Sequence, residues 1–139
     1  MKVSELYHVK GIEIKFIPHN DQRYETVGDY WLDKSGIMQI RASAMGDIRY
    51  SWLVVIHEIV EIILCLWRGI PEPKIKAFDE RFEVARAEGN EDEPGDDLKA
   101  PYQNEHCVAT GVERLMCALL GVKWKHYEKE CNSLCQQPK

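Results

Sequence analysis

Residues 54–64, VVIHEIVEIIL, set a histidine and two glutamates, His57, Glu58 and Glu61, inside an otherwise apolar run. Burying an imidazole and carboxylates is costly unless they are hydrogen-bonded, ion-paired or bound to a metal. The run belongs to a longer segment that decides the fold. Asp47 suits an N-cap, and Gly69 followed by Pro71 suits a terminus, so one helix is predicted from Asp47 to about Arg68. At 100° per residue, with His57 at zero, Glu61 falls at about 40°, Glu58 at about 100°, and Tyr50 and Arg68 near 20°. The polar groups share one face. Most such stripes are the solvated side of an amphipathic helix. Here Val54, Leu64 and Cys65 lie in or beside the stripe, which makes it read as a pocket wall.

Upstream, the period is that of strands. In GIEIKFIP, residues 11–18, Ile12, Ile14 and Phe16 alternate with Glu13 and Lys15. Residues 24–43, YETVGDYWLDKSGIMQIRAS, read as two strands around a turn at Asp33-Lys34-Ser35-Gly36. Three strands in a meander are expected. Downstream, a second helix is predicted over residues 73–88, with Ile75, Phe78, Phe82 and Ala85 on one face. A third runs from Pro101 to Leu120 and stops at Gly121, with Val108, Val112, Leu115 and Leu119 as its core-facing side. A fourth covers Trp124 to Cys135. The expected fold is a single α+β domain over residues 1–139, a small antiparallel sheet of about three strands packed on three or four helices.

Between the second and third helices, EGNEDEPGDD, residues 88–97, holds six carboxylates and almost no apolar residue. It lacks the ordered register of a calcium loop, and residues 88–100 read as a mobile, solvated acidic loop. The net charge of −5 and the absence of a basic stripe argue against a nucleic-acid partner. The start of the chain is charged throughout, and the apolar segment 52–67 is too short for a bilayer span and carries three ionisable groups, so no membrane partner is expected. Five cysteines, an odd set without the density of a disulfide scaffold, favour a reducing, cytoplasmic setting.

Residues four apart on a helix stand one turn apart on one side, so His57 and Glu61 can hold one metal ion between them. Glu58 is rotated away from both and is free to act as a base. The His57-Glu58-x-x-Glu61 pattern resembles the His-Glu-x-x-His helix of the zincin metallopeptidases, in a gluzincin-like variant with Glu61 at the second histidine position. The resemblance implies one zinc per chain, with manganese or iron left open by the more anionic ligand set, and Glu58 activating a metal-bound water. It also implies a peptide or protein substrate, with IMQIRAS, residues 37–43, as an edge strand for an extended peptide.

A third ligand is needed. His106 on the third helix shares a face with Tyr102, Thr110, Glu113 and Cys117, and gluzincins also draw their third ligand, usually a glutamate, from a later helix. Glu113, about 10.5 Å further along the axis, is expected to orient His57 or His106 through a ring N–H. Tyr102 either donates to a transition-state oxyanion, as a tyrosine does in several zincins, or simply packs. Glu105 is an alternative ligand, pointing about 100° away from His106.

Two other functions fit some of these residues. One is a non-catalytic binding protein in which the same groups form a metal-stapled or polar core. The other is a magnesium-dependent nucleotide pyrophosphohydrolase similar to the MazG family, suggested by Glu58 and Glu61 followed by Asp79, Glu80 and Glu83 on the next helix. Cys131, Cys135 and His126 are candidates for a second metal site, against the simpler reading of inert thiols. His8 and His19 have no partner legible in the sequence.

Overall fold

The computed structural model describes residues 8–86 and 89–135. Strands β1 (Gly11–Ile17), β2 (Gly28–Leu32) and β3 (Ile37–Ser43) are followed by helices α1 (Ile48–Arg68), α2 (Glu72–Ala85), α3 (Gln103–Leu119) and α4 (Trp124–Cys135). The α+β class, the three strands and the four helices agree with the sequence reading. The last two residues of the expected second helix, 87 and 88, lie outside the described residues.

The sheet is mixed, not an antiparallel meander. Its order is β1-β3-β2, with β2 antiparallel to β3 and β1 parallel to it. The β2–β3 hairpin forms as expected: the Asp33 carboxylate accepts from the backbone N–H groups of Ser35 at 2.8 Å and Ile37 at 3.0 Å, and Gly36 takes a φ of 85°. The chain between β1 and β2, through a 3-10 turn at His19–Asp21, instead carries β2 to the far side of β3. Residues 37–43 therefore form the central strand, and β1 and β2 are the edges. Alternation places Met38, Ile40 and Ala42 of β3 in the core.

α1 lies on this face. Asp47 accepts from the Arg49 N–H at 3.0 Å, and Gly69, at φ 69°, closes the other end with its N–H on the carbonyls of Cys65 and Leu66. Ser51 Oγ donates to the Ser43 carbonyl at 2.9 Å and ties the first turn to the end of β3. With its full 21 residues the helix is long and apolar enough, by length and composition, to cross a membrane, which the shorter segment 52–67 did not suggest. Yet its polar stripe is buried: Ser51, His57, Glu58 and Glu61 are inside, and Trp52, Ile63 and Trp67 are exposed.

α3 is turned the same way round, opposite to expectation. Val108, Leu115 and Leu119 are 52%, 62% and 72% exposed, while Glu105, His106, Ala109, Glu113 and Cys117 are buried. The reason is pairing. The polar face of α3 meets the polar stripe of α1, where His57, Glu61, His106 and Glu113 find partners that an apolar surface does not offer. Replacing Leu115 by Gln should therefore change stability by less than ~0.5 kcal/mol, whereas Leu53→Ala in the core should cost ~2–5 kcal/mol. Urea unfolding of the two variants checks this; equal losses would place the α3 apolar face in the core after all.

Candidate metal centre

The seam between α1 and α3 brings three of the expected residues together. His57 Nε2 is 2.9 Å from Glu61 Oε2 and 3.1 Å from His106 Nδ1, and His106 Nδ1 is 3.2 Å from the same Glu61 oxygen. All three side chains are buried. Ligands about 2.0–2.1 Å from a tetrahedral zinc are about 3.3 Å from one another, so this triangle is close to the spacing a single ion requires.

The outer nitrogens of both rings face carboxylates. His57 Nδ1 is 2.7 Å from Glu113 Oε1, and Glu113 in turn accepts from the Tyr127 hydroxyl through its other oxygen. His106 Nε2 is 2.8 Å from Glu93 Oε2 and 3.4 Å from Asp96 Oδ1, in ion-pair contact without the alignment of a good hydrogen bond. Tautomers are set by such partners. Protons on the two outer nitrogens leave His57 Nε2, His106 Nδ1 and Glu61 Oε2 as three converging lone pairs with no proton among them. Protons on the inner nitrogens instead let both rings donate to Glu61 Oε2, and a cation then takes the site only by displacing them. Burial alone pushes the Glu61 carboxyl up, but the two imidazoles overcome this and hold it ionised.

Glu58 is placed differently. Its carboxylate lies against β2, where a methyl group at Gly28 would overlap it. It is 9% exposed and makes no hydrogen bond or salt bridge among the described residues. Burial first, and the nearby Glu61 second, raise its pKa well above the usual carboxylate range. Both glutamates line a cavity of about 280 Å³ bounded by β2, all four helices and the acidic loop.

Several expected roles change. Glu113 reaches His57, one of its two expected targets. The Tyr102 hydroxyl donates to Asp79, so it is engaged and not presented to a substrate. Glu105 is buried and held by Arg68 Nη1 at 2.5 Å, away from the triangle. Cys131 and His126 do not converge with Cys135; among the described residues, Cys135 approaches His19 and Glu25 instead. His19 is partnered on both ring nitrogens, by Ser43 Oγ and Glu25 Oε1, each at 2.8 Å.

Other participants were not legible. The acidic stretch folds into a 3-10 turn at Pro94–Asp96 that lays Gly95 on the His106 ring, where any Cβ would overlap the imidazole. Asp79 is buried on α2 and accepts from Tyr24 at 3.0 Å and from Tyr102; burial pushes its pKa up to about 7, and the two hydroxyls only partly oppose that. In the sequence, Asp79 is hard to separate from the charges around it in DERFE, residues 79–83.

No known family, curated protein or solved structure matches this chain.

Gly95→Ala should push the loop off His106 and weaken zinc affinity by ~10- to 100-fold, the range typical of lost support behind a metal-binding histidine. Gly111→Ala, with nothing within 4 Å of the new methyl, should leave it unchanged. Competition with a chromogenic chelator measures both, and equal affinities would detach the loop from the site.

Proposed function

We propose that this chain is a metal-dependent hydrolase of peptidase type, in which His57, Glu61 and His106 hold one zinc ion and Glu58 is the general base. The observation that carries this reading is the triangle of His57 Nε2, Glu61 Oε2 and His106 Nδ1, with sides of 2.9, 3.1 and 3.2 Å, beside a carboxylate in the same cavity with no bonding partner among the described residues. Two nitrogens and one carboxylate oxygen form a donor set that zinc accepts tetrahedrally, and manganese or iron would take the same donors octahedrally with more open positions. When bound, the ion acidifies a water and polarises the carbonyl of a substrate.

The chain's own residues supply the rest. Glu113 fixes the His57 ring through Nδ1, and Glu93 with Asp96 holds His106 from the loop side. Glu58, desolvated and unbonded, takes a proton from the attacking water at a carboxylate oxygen and returns it to the leaving amine. Deep burial raises its proton affinity above that of an ordinary carboxylate.

The other two functions are less well supported. A stapled core asks Glu58 to pair with Arg68 or Tyr50, but Arg68 is held by Glu105 and Tyr50 packs on the Tyr127 ring. A magnesium site asks the carboxylates of α1 and α2 to converge, but Glu80 pairs with Lys76, Glu83 with Arg86, and Asp79 with two tyrosines.

Protein purified without a histidine tag or chelator should contain about one zinc per chain. Glu61→Gln should lose most of the metal. Glu58→Gln should keep metal and fold while peptide hydrolysis falls by ~10²- to 10⁴-fold. Undiminished activity in the Glu58→Gln form would remove the base, and a metal-free protein whose stability ignores chelators would remove the ion.

A further inference from the structure

The cavity around the triangle is strongly acidic. Thirteen of the residues that line it are Asp or Glu, two are Arg and none is Lys. Arg86 is held by Glu83 at 2.7 Å, so only Arg114, whose guanidinium lies 4.6 Å from the centre of the Trp124 ring, adds a positive charge not paired with a carboxylate among the described lining arginines. Arg23 pairs with both Asp29 and Glu72 and offsets one of their two charges. At the mouth, Asp92 on the acidic loop and Glu128 on α4 are exposed and make no salt bridge among the described residues. Deeper in, Glu58 is buried and unbonded with its carboxylate in the cavity. A single divalent ion at the triangle cancels two of these charges and leaves the mouth untouched.

We propose that this cleft selects a cationic substrate, a peptide segment bearing Lys or Arg, through the carboxylates of Asp92 and Glu128 at its mouth. A concave, low-dielectric site lined by one sign of charge focuses the field, concentrates ligands of opposite charge and repels those of like charge. A phosphate chain is disfavoured by the same carboxylates. The rings of Tyr24, Tyr30, Tyr102 and Tyr127 also line the cavity. The acidic stretch thus has two tasks: Glu93 and Asp96 face His106, and Asp92 faces the substrate.

This inference rests on the hydrolase reading for cleavage but not for binding, so the test measures both on the zinc-loaded full chain. Three fluorescein-labelled heptapeptides, identical except for two central positions occupied by Lys, Gln or Glu, are titrated by anisotropy against the Glu58→Gln form. Their hydrolysis by the unaltered protein is followed in parallel. The Lys peptide should bind ~10-fold more tightly than the Gln peptide at low salt, and the Glu peptide most weakly. Raising the salt to 0.5 M should compress the differences several-fold. The double variant Asp92→Lys, Glu128→Lys should shift the preference towards the Glu peptide with metal content unchanged. Equal binding of the three peptides, or a preference that ignores the charge reversal, overturns the proposal. If the Lys peptide binds as expected and none is cleaved, charge selection stands and the hydrolase reading fails. If all three are cleaved with equal efficiency, the hydrolase reading stands and charge selection fails.

Discussion

Glu61 carries a carboxylate into the seam between α1 and α3, and the two imidazoles that meet it there, His57 at 2.9 Å and His106 at 3.2 Å, fix how both helices are turned. A lone buried carboxylate costs several kcal/mol, more than one ordinary hydrogen bond returns, so the helices that carry its partners must present their polar faces inward. The apolar faces then have only the sheet and the solvent left. On α1 Leu53, Val54 and Val55 are buried, and Trp52, Ile63 and Trp67 remain outside; on α3 Val108, Leu115 and Leu119 remain outside.

The same constraint explains the supporting shell. Each imidazole has two nitrogens, and a ring that points one of them at the triangle must place the other somewhere buried. Glu113, braced by Tyr127, receives that of His57; Glu93 and Asp96 receive that of His106. α4 and the acidic loop are therefore parts of one arrangement centred on Glu61, although neither carries a residue of the triangle. Gly95 is needed because the loop approaches the ring of His106 more closely than a side chain permits.

What the sequence disclosed follows from how local each signal is. The α1 boundaries were legible because Asp47, Gly69 and Pro71 act within a turn of the residues they cap, and the hairpin was legible because Asp33 and Gly36 do the same. His57 and Glu61 were legible as a pair because a helix converts spacing of four into proximity, and His106 was legible as the histidine on the polar face of a later helix. The parallel pairing of β1 with β3 was not, since nothing in residues 18–27 states on which side of β3 the chain will land. The facing of α3 was misjudged because hydrophobicity alone orients a helix only where the opposing surface is apolar, and here that surface is His57 and Glu61. Glu93, Gly95 and Asp96 were hidden for a related reason: in a run of six carboxylates, the two that contact His106 look like the others.

The central claim is that a cation completes the triangle. Crystals of protein supplied with one equivalent of zinc, with diffraction recorded on both sides of the zinc absorption edge, test it most directly. The account predicts one strong anomalous peak about 2.0–2.2 Å from His57 Nε2, His106 Nδ1 and a Glu61 carboxylate oxygen. A map with no peak in the seam, or with zinc only at exposed carboxylates while the three side chains keep their separations, would contradict it.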